Sequence, residues 1–334
     1  MIKSALVTGC NGQDGSYLCE LLLDKKYKVY GMIRRSSVNT TERISHLMDN
    51  PQFELIEGDV TDATCMHRLI SGTMPDEIYN LAAMSHVGVS FDQPVTTCCI
   101  DAMGPLHILE AIRQCSPKSK FYQASTSELF GDTNISPQNE ETPFNPNSPY
   151  AVAKLAAHMY VGLYRRAYKI FACGGILFNH ESERRGEEFV TRKITMYVAK
   201  LAVAIENNCG ILPDDWPKLA LGNIEAKRDW SHAKDMVLGM WLMLQQDAPG
   251  DYVLGSGKTH TVRDFLKIAF GIIGLDYRDY VTIDPKLYRP VDVNLLHADS
   301  TKARQKLGWR PKIDFDELIY RMVTADCNRF GWWR

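Results

Sequence analysis

The sequence has no apolar run long enough to cross a bilayer. Its most apolar later stretch, Met236 to Leu244, falls far short of the roughly 20 residues that a spanning helix needs. It also lacks a charge of one sign: 38 Lys and Arg against 40 Asp and Glu leave a net charge of −2. That argues against a general binder of nucleic acid or of a membrane surface, so any phosphate recognition must come from locally placed cations. Nine cysteines contain no C-x-x-C pair, only an adjacent Cys98-Cys99, and no His/Cys cluster has ligand spacing. A disulfide scaffold and a metal module are therefore not expected; reduced thiols in a cytoplasmic compartment are. Met1-Ile2-Lys3-Ser4-Ala5-Leu6-Val7 reads directly into a strand, which leaves no room for a signal peptide. No short repeat or low-complexity tract occurs. With 334 residues, 45% of them hydrophobic and 23% charged, the chain can hold one large or two modest globular domains.

What is present begins at the N-terminus. A β-prone run, Ser4 to Thr8, leads into Gly9-Cys10-Asn11-Gly12-Gln13-Asp14-Gly15 and a helix-like run from Ser16 to Lys25. Strand, glycine turn and helix form the context of a dinucleotide-binding fingerprint. Gly9 permits the tight turn, Gly12 lets backbone amides approach a pyrophosphate, and Gly15 lets helix pack close to strand. The first two glycines are three apart rather than two, but the motif stands at the first turn with a second strand after it. That strand, Lys28 to Ile33, runs into Arg34-Arg35-Ser36-Ser37. An NAD site would place an acid here for the ribose hydroxyls; two arginines and two serines suit a 2′-phosphate, so NADP is the expected cofactor.

Further strands are expected at Phe53–Glu57, Glu77–Leu81, Lys120–Ala124 and Ile170–Ile176, with a helix from Thr97 to Gln114. The third ends at Gly58-Asp59-Val60, where Asp59 can accept from an adenine amino group. The fourth ends at Ala82-Ala83-Met84-Ser85, small residues that let a cofactor lie near the backbone. Alternating strand and helix predict an α/β fold built on a doubly wound parallel sheet over residues 1–178. Beyond it, residues 179–334 are expected to form mainly a smaller, mixed α/β substrate domain, with 218–246 returning to the first. The charged stretch 181–188 reads as loop, and helices are expected at Val190–Asn207, His232–Gln246 and Val262–Ile273. Trp230, Trp241 and Trp309 read as core.

Two stretches carry the chemistry. Ser125-Thr126-Ser127-Glu128 follows the fifth strand, at the sheet edge where open α/β folds bind ligands. Ser148-Pro149 starts a helix, an N-cap hydroxyl followed by a proline at the first helical position. Such a helix places Tyr150 and Lys154 one turn apart on one face. A free tyrosine, with a pKa of about 10, is a poor base; a neighbouring ammonium or a cationic nicotinamide would lower that value. On this reading Tyr150 is a base, Lys154 tunes it, and Thr126 and Glu128 face it across a sugar. Glu128, two residues beyond Thr126 in an extended segment, would point to the same side.

Gly9-x-x-Gly12-x-x-Gly15, Arg34-Arg35, Ser125-Thr126-Ser127-Glu128-Leu129-Phe130-Gly131 and Tyr150-x-x-x-Lys154 together resemble the extended short-chain dehydrogenase/reductase family. Phe178-Asn179-His180-Glu181-Ser182, Arg184-Arg185-Gly186 and Lys227-Arg228-Asp229-Trp230 resemble its GDP-mannose 4,6-dehydratase branch, from residue 1 to about 325. The resemblance implies a Rossmann-type sheet, tightly held and recycled NADP, and GDP-mannose as substrate. It implies that Tyr150 takes the 4-hydroxyl proton and that Thr126 holds that oxygen. Glu128 would then remove the C5 proton and hand it to the departing 6-oxygen. Relatives acting on glucose nucleotides carry Asp-Glu where this chain has Ser127-Glu128, so a single carboxylate would do both tasks here. Cofactor contacts implied are Asn11, Gln13, Asp14, Ser36, Asp59, Val60, Leu81, Ala83, Ser85, Lys154, His180 and Arg185. Substrate contacts implied are Ser85, Asn179, Lys193, Gly222, Asn223, Arg228 and Arg289. The stretch from Arg35 to His46 resembles a loop that reaches a neighbouring subunit, implying a homotetramer or homodimer. The competing reading is the same enzyme with an added 4-reductase step to a GDP-6-deoxyhexose. A non-catalytic NADPH sensor is disfavoured because Thr126, Glu128, Tyr150 and Lys154 are all present.

Overall fold

The computed structural model describes residues 2–208, 212, 216–288, 293 and 295–332. Short apolar runs form the strands β1 (Ser4–Thr8), β2 (Lys28–Ile33), β3 (Phe53–Glu57), β4 (Glu77–Asn80), β5 (Lys120–Thr126), β6 (Ala172–Leu177) and β7 (Asp251–Leu254). They join in one sheet ordered β7-β6-β5-β4-β1-β2-β3, with every pairing parallel. The main helices are α1 (Gln13–Asp24), α2 (Ala63–Thr73), α3 (Gly104–Cys115), α4 (Pro149–Tyr168), α5 (Val190–Asn207), α6 (Ala233–Leu244), α7 (Val262–Ile272) and α8 (Phe315–Arg329).

Alternate strand residues feed two separate cores, because successive side chains point to opposite faces of a sheet. Val7, Tyr79 and Tyr122 pack with Leu18 and Leu22 of α1, Met236 and Met240 of α6, and Trp309. Their neighbours Leu6, Ile78 and Phe121 pack with Met66 and Ile70 of α2, Ile108 and Ile112 of α3, and Val161 of α4. Both faces are therefore apolar, as a parallel sheet between helical layers requires. Strand order reverses between β1 and β4, and the crossovers leaving in opposite directions open a crevice at the strands' C-terminal ends.

A third core lies outside the sheet, where α5, α7 and α8 bury Ile194, Val198, Phe265, Leu266, Leu318 and Met322 around Trp230. Trp309 is fully buried, whereas Trp241 is half-buried and carries the Lys25 ammonium 3.6 Å from its ring. Contrary to the sequence reading, which found no run of spanning length, one helical run among the described residues, Pro94–Cys115, is long and apolar enough to cross a bilayer; half of its apolar window is buried within the fold, as in a core helix.

The sheet takes a strand that the sequence reading did not mark. β7 is only four residues, Asp251–Leu254, directly after Pro249-Gly250, too short for alternation to stand out from its turn. The stretch 181–188 is also tied down at its start. His180–Glu181 pairs with Ser231–His232 as a two-residue ladder, and only then does the chain turn.

One buried ion pair fixes that turn to the far end of the chain. Arg192 on α5 meets Asp326 on α8, with Nε 3.0 and 2.9 Å from its two carboxylate oxygens and Nη2 2.7 Å from Oδ1. Thr195 donates to the same carboxylate at 2.7 Å. The other guanidinium nitrogen, Nη1, donates to the carbonyls of Glu183 (2.6 Å) and Arg185 (3.0 Å). Asp326→Ala should therefore cost about 3–5 kcal/mol in urea denaturation, because it leaves a buried guanidinium without its anion. The paired change Arg192→Met/Asp326→Leu should recover most of that loss. Wild-type stability in the single variant would contradict this account.

Candidate active site in the cleft at the strand ends

The first turn is shaped to admit a ligand. After β1 the chain turns at Gly9 with φ +66°, a conformation L side chains rarely adopt, and a Cβ there would lie 3.0 Å from the Ala82 nitrogen. A Cβ on Gly15 would sit 2.3 Å from the Gly9 carbonyl oxygen, so α1 comes this close only because the side chain is missing. Gly12 caps α1 without a side chain, which leaves the positive end of the helix to an incoming anion. These features fit a dinucleotide pyrophosphate.

From this turn a cleft of about 1450 Å³ runs along the C-terminal edge of the sheet. Around the cradle it is lined by Gly9, Asn11, Gly12, Gln13, Asp14 and Gly15; past β2, by Arg34 and Ser36; past β3 and β4, by Asp59, Val60, Leu81, Ala83 and Ser85. Its other wall carries Asn179, His180, Arg185, Lys193, Gly222, Asn223 and Arg228, and its end carries Thr126, Glu128, Tyr150 and Lys154. Arg289 lies outside the described residues. Arg35 departs from the expectation: its side chain is 85% exposed and stands 3.6 Å from Glu57. Past the end of β2, Arg34 and Ser36 face the cleft while Arg35 between them turns away, toward the acid ending β3.

At the cradle, His180 Nε2 stands 2.7 Å from Asp14 Oδ2, and the other ring nitrogen is 2.7 Å from the Phe178 carbonyl. Burial pulls the His180 pKa down, but the Asp14 carboxylate outweighs it and holds the value up. The reciprocal effect holds Asp14 below its usual range despite its own burial. Gln13 joins the two strands of chain, donating to the His180 carbonyl (3.2 Å) and accepting from Ser182 (2.8 Å). Arg185 is 3.1 Å from Glu181 and lies 3.5 Å from the Phe189 ring. Phe189 also packs on His86 across the cleft, at 5.4 Å between ring centroids.

At the reactive end, α4 begins as its sequence dictates. Ser148 accepts from the Ala151 amide at 3.1 Å, and Pro149 takes the first helical position. Tyr150 and Lys154 then face β5, with Lys154 Nζ 3.1 Å from the Ala124 carbonyl and 5.8 Å from the Tyr150 ring centroid. Glu128 reaches the cleft by a different path from the expected extended segment. Residues Ser127–Phe130 form a 3₁₀ turn whose N-cap is Thr126, with the Glu128 amide donating to the Thr126 hydroxyl at 3.2 Å. A Thr with extended backbone is a natural cap, and capping breaks the strand at that point.

The protein's own groups also reverse one electrostatic expectation. Burial raises the Tyr150 pKa, Asp101 and Glu128 push it further, and the Thr126 hydrogen bond and Arg185 pull only part of it back. Lys154 is held below its usual value by burial, which Asp101 and Asp14 oppose. In the protein alone the phenol is thus held above its ordinary value. Asp101 is the functional candidate that sequence reasoning missed. Its only signal was an acid in the middle of an apolar helical run. Glu181 was missed too, hidden in the stretch 181–188 read as loop, and so was Phe189 just beyond it.

A family model described as GDP-mannose 4,6 dehydratase matches residues 6–322. GDP-mannose 4,6 dehydratase 1 of Arabidopsis thaliana is 49% identical over 334 residues, covering 97% of this chain and 90% of that protein. GDP-mannose 4,6 dehydratase of Homo sapiens is 48% identical over 347 residues, covering 96% and 91%. Among solved structures, the UDP-glucose 4-epimerase of Thermus thermophilus in complex with NAD superposes with a TM-score of 0.82 at 26% identity, covering 98% of this chain and 99% of that one. The glycine cradle, the Tyr150/Lys154 helix and the Thr126/Glu128 turn thus occur in a chain that matches these dehydratases from end to end. It belongs to the GDP-mannose 4,6-dehydratase family.

Proposed function

We propose that this hydro-lyase converts GDP-mannose to GDP-4-keto-6-deoxymannose with Tyr150, Thr126, Glu128 and Lys154 as its working groups. The observation that carries the assignment is their convergence at the end of the cleft that begins at the glycine cradle. A nicotinamide dinucleotide held in the cradle supplies the acceptor for hydride from C4 and its donor to C6. Tyr150, deprotonated beside that cationic ring, takes the 4-hydroxyl proton. Thr126 donates to the same oxygen as charge develops there. Once C4 is a ketone, the C5 hydrogen is acidic, and Glu128 removes it and protonates the leaving 6-oxygen. Its sequence neighbour is Ser127 rather than a second acid, so Glu128 serves both tasks. Lys154 stabilises the phenolate and holds the ribose.

Arg34 and Ser36 line the cleft beyond β2, which supports NADP over NAD. Lys193 and Arg228 on the far wall suit the substrate pyrophosphate. The segment 1–178 with later strands and helices forms the cofactor domain, and 179–334 mainly the substrate domain. Self-association is supported by the exposed stretch from Arg34 to Asn39, with Val38 68% exposed. It is supported further by an apolar row on α4, Val152, Met159 and Leu163, exposed at helical spacing. The eight described cysteines are free thiols, in keeping with a reducing, cytoplasmic compartment.

Product analysis by NMR with GDP-mannose tests the function, and added NADPH distinguishes a 4-keto product from a fully reduced sugar. Glu128→Gln should keep bound NADP yet release no water, and full dehydration by this variant would remove Glu128 from its role. Tyr150→Phe should lower turnover about 10²–10⁴-fold, the usual size of an acid–base contribution. Arg34→Ala should weaken NADP relative to NAD more than Arg35→Ala does; equal effects in a binding titration would count against the side-chain alternation described above.

A further inference from the structure

His180 has an oxygen on each side of its ring. Nδ1 is 2.7 Å from the Phe178 carbonyl, and Nε2 is 2.7 Å from Asp14 Oδ2. A carbonyl and a carboxylate only accept, and an imidazole donates from both nitrogens only when it is protonated. Its partners alone therefore make the ring an imidazolium. Burial pushes both groups the other way, yet each partner's charge prevails: His180 is held above its ordinary 6.5 and Asp14 below its ordinary 3.8. The pair also crosses the cleft. Asp14 stands in the first turn of α1, where a carboxylate meets the positive end of the helix. His180 stands on the facing wall, and both line the cavity. Their side chains are 20% and 14% exposed, so the charged bond is largely shielded from solvent and stronger for it. Gln13 steadies both partners, its Nε2 donating to Asp14 Oδ1 (3.0 Å) and to the His180 carbonyl (3.2 Å). His180 also opens the ladder with Ser231–His232, so whatever holds its ring holds the start of that wall.

We propose that Asp14 is a positioning residue of the cofactor site: its carboxylate keeps His180 charged, and the charged bond between them ties the far wall to the glycine cradle and so slows release of the dinucleotide. The inference rests on the reading of the cradle as a nicotinamide-dinucleotide site. In that reading hydride leaves the sugar and returns to it, so a dinucleotide that escaped midway would strand the 4-ketone. A tie made through a proton is undone by removing the proton. Because the His180 pKa is raised, the tie is whole at and below pH 6.5 and is lost as pH rises through the raised value. Because the Asp14 pKa is lowered, the tie survives acid until pH falls through a value below 3.8. Once deprotonated, the ring sets a bare nitrogen against one of its two oxygens. Arg185 faces the pair from the wall and lowers both pKa values. Asp14 in turn acts on Lys154 of α4 and on the buried Tyr122 phenol of β5.

Release of bound NADPH tests this, followed by the loss of its fluorescence when holoenzyme is diluted into excess NADP at a series of pH values. In wild type the rate should be flat on the acid side of neutrality and rise about 10-fold on the alkaline side, the scale of one hydrogen bond to a charged group. Asp14→Asn and His180→Gln should each release NADPH about 10-fold faster than the flat limb of wild type, with no alkaline rise. Combining them should add nothing further, because the two groups act as one unit. Asp14→Glu, which restores a carboxylate, should bring the alkaline rise back. A packing role alone would change the rate and leave its pH profile in place. A flat wild-type profile, an alkaline rise that persists in His180→Gln, or effects that add in the double variant would overturn the proposal. If Asp14→Asn does not fold, the other two variants decide: the rise must vanish in His180→Gln and survive in Asp14→Glu. Wild-type protein that holds no dinucleotide overturns the cradle reading and the tie together, whereas retention of NADPH without turnover of GDP-mannose overturns only the chemistry assigned above.

Discussion

The site depends on how one helix is registered against one strand. Tyr150, Lys154 and His158 recur at helical spacing along a single face of α4, and each meets a successive residue of β5. Lys154 donates to the Ala124 carbonyl, His158 Nδ1 lies 2.9 Å from the Ser125 hydroxyl, and Tyr150 shares the end of the cleft with Thr126, the last residue of β5. These contacts are kept only if the helix begins at one particular residue. The Ser148 cap and the Ser90 hydroxyl, 3.2 Å from the Tyr150 amide, fix that beginning. A slip by one residue would rotate the reactive phenol away from Thr126.

The opposite wall of the cleft is held by polar contacts rather than by a shared core. Tyr17 on α1 donates to Glu183 at 2.6 Å, and Arg184 reaches Ser16 (3.0 Å) and Glu20 (2.6 Å) on the same helix. Burial pushes Glu183 up, yet its bonds with His232 and Tyr17 prevail and leave its pKa at about 2. Helix α1 thus does two jobs: its N-terminus faces the cradle, and its flank carries the wall that closes over it. Buried anions and cations meet in pairs along this seam, which gives direction where apolar packing alone would allow sliding.

Much of this was legible in the sequence, for reasons that particular residues make plain. Gly9, Gly12 and Gly15 announce a turn because no other residue fits the space they leave. Strands β1 to β5 could be read from apolar runs, most of them ending at Gly, Ala or Ser and β2 at a pair of arginines. Ser148-Pro149 marks the start of α4 to the residue, since cap and proline act locally. Less legible was whatever depends on contacts distant in sequence. β7 needs the edge of β6 to become a strand, and a run of four residues cannot declare that. The turn of Glu128 follows from Thr126 capping, a choice between two uses of one hydroxyl. Arg35 and Arg34 look alike until the chain turns one away from the cleft and the other toward it. The phenol's raised pKa follows first from its own burial and then from the charge of Asp101, neither of which the motif declares.

The Arg192–Asp326 pair has a consequence for how the molecule is made. A ribosome delivers the glycine cradle early, and β1 to β6 can begin to assemble once residue 177 has emerged. The sheet then waits for Asp251–Leu254 to cover the outer edge of β6. The turn at 181–189 receives its anion later still, when residue 326 arrives from the exit tunnel. The order of synthesis therefore brings the residues of the glycine cradle out of the tunnel well before Asp326, the anion that fixes the far wall through Arg192.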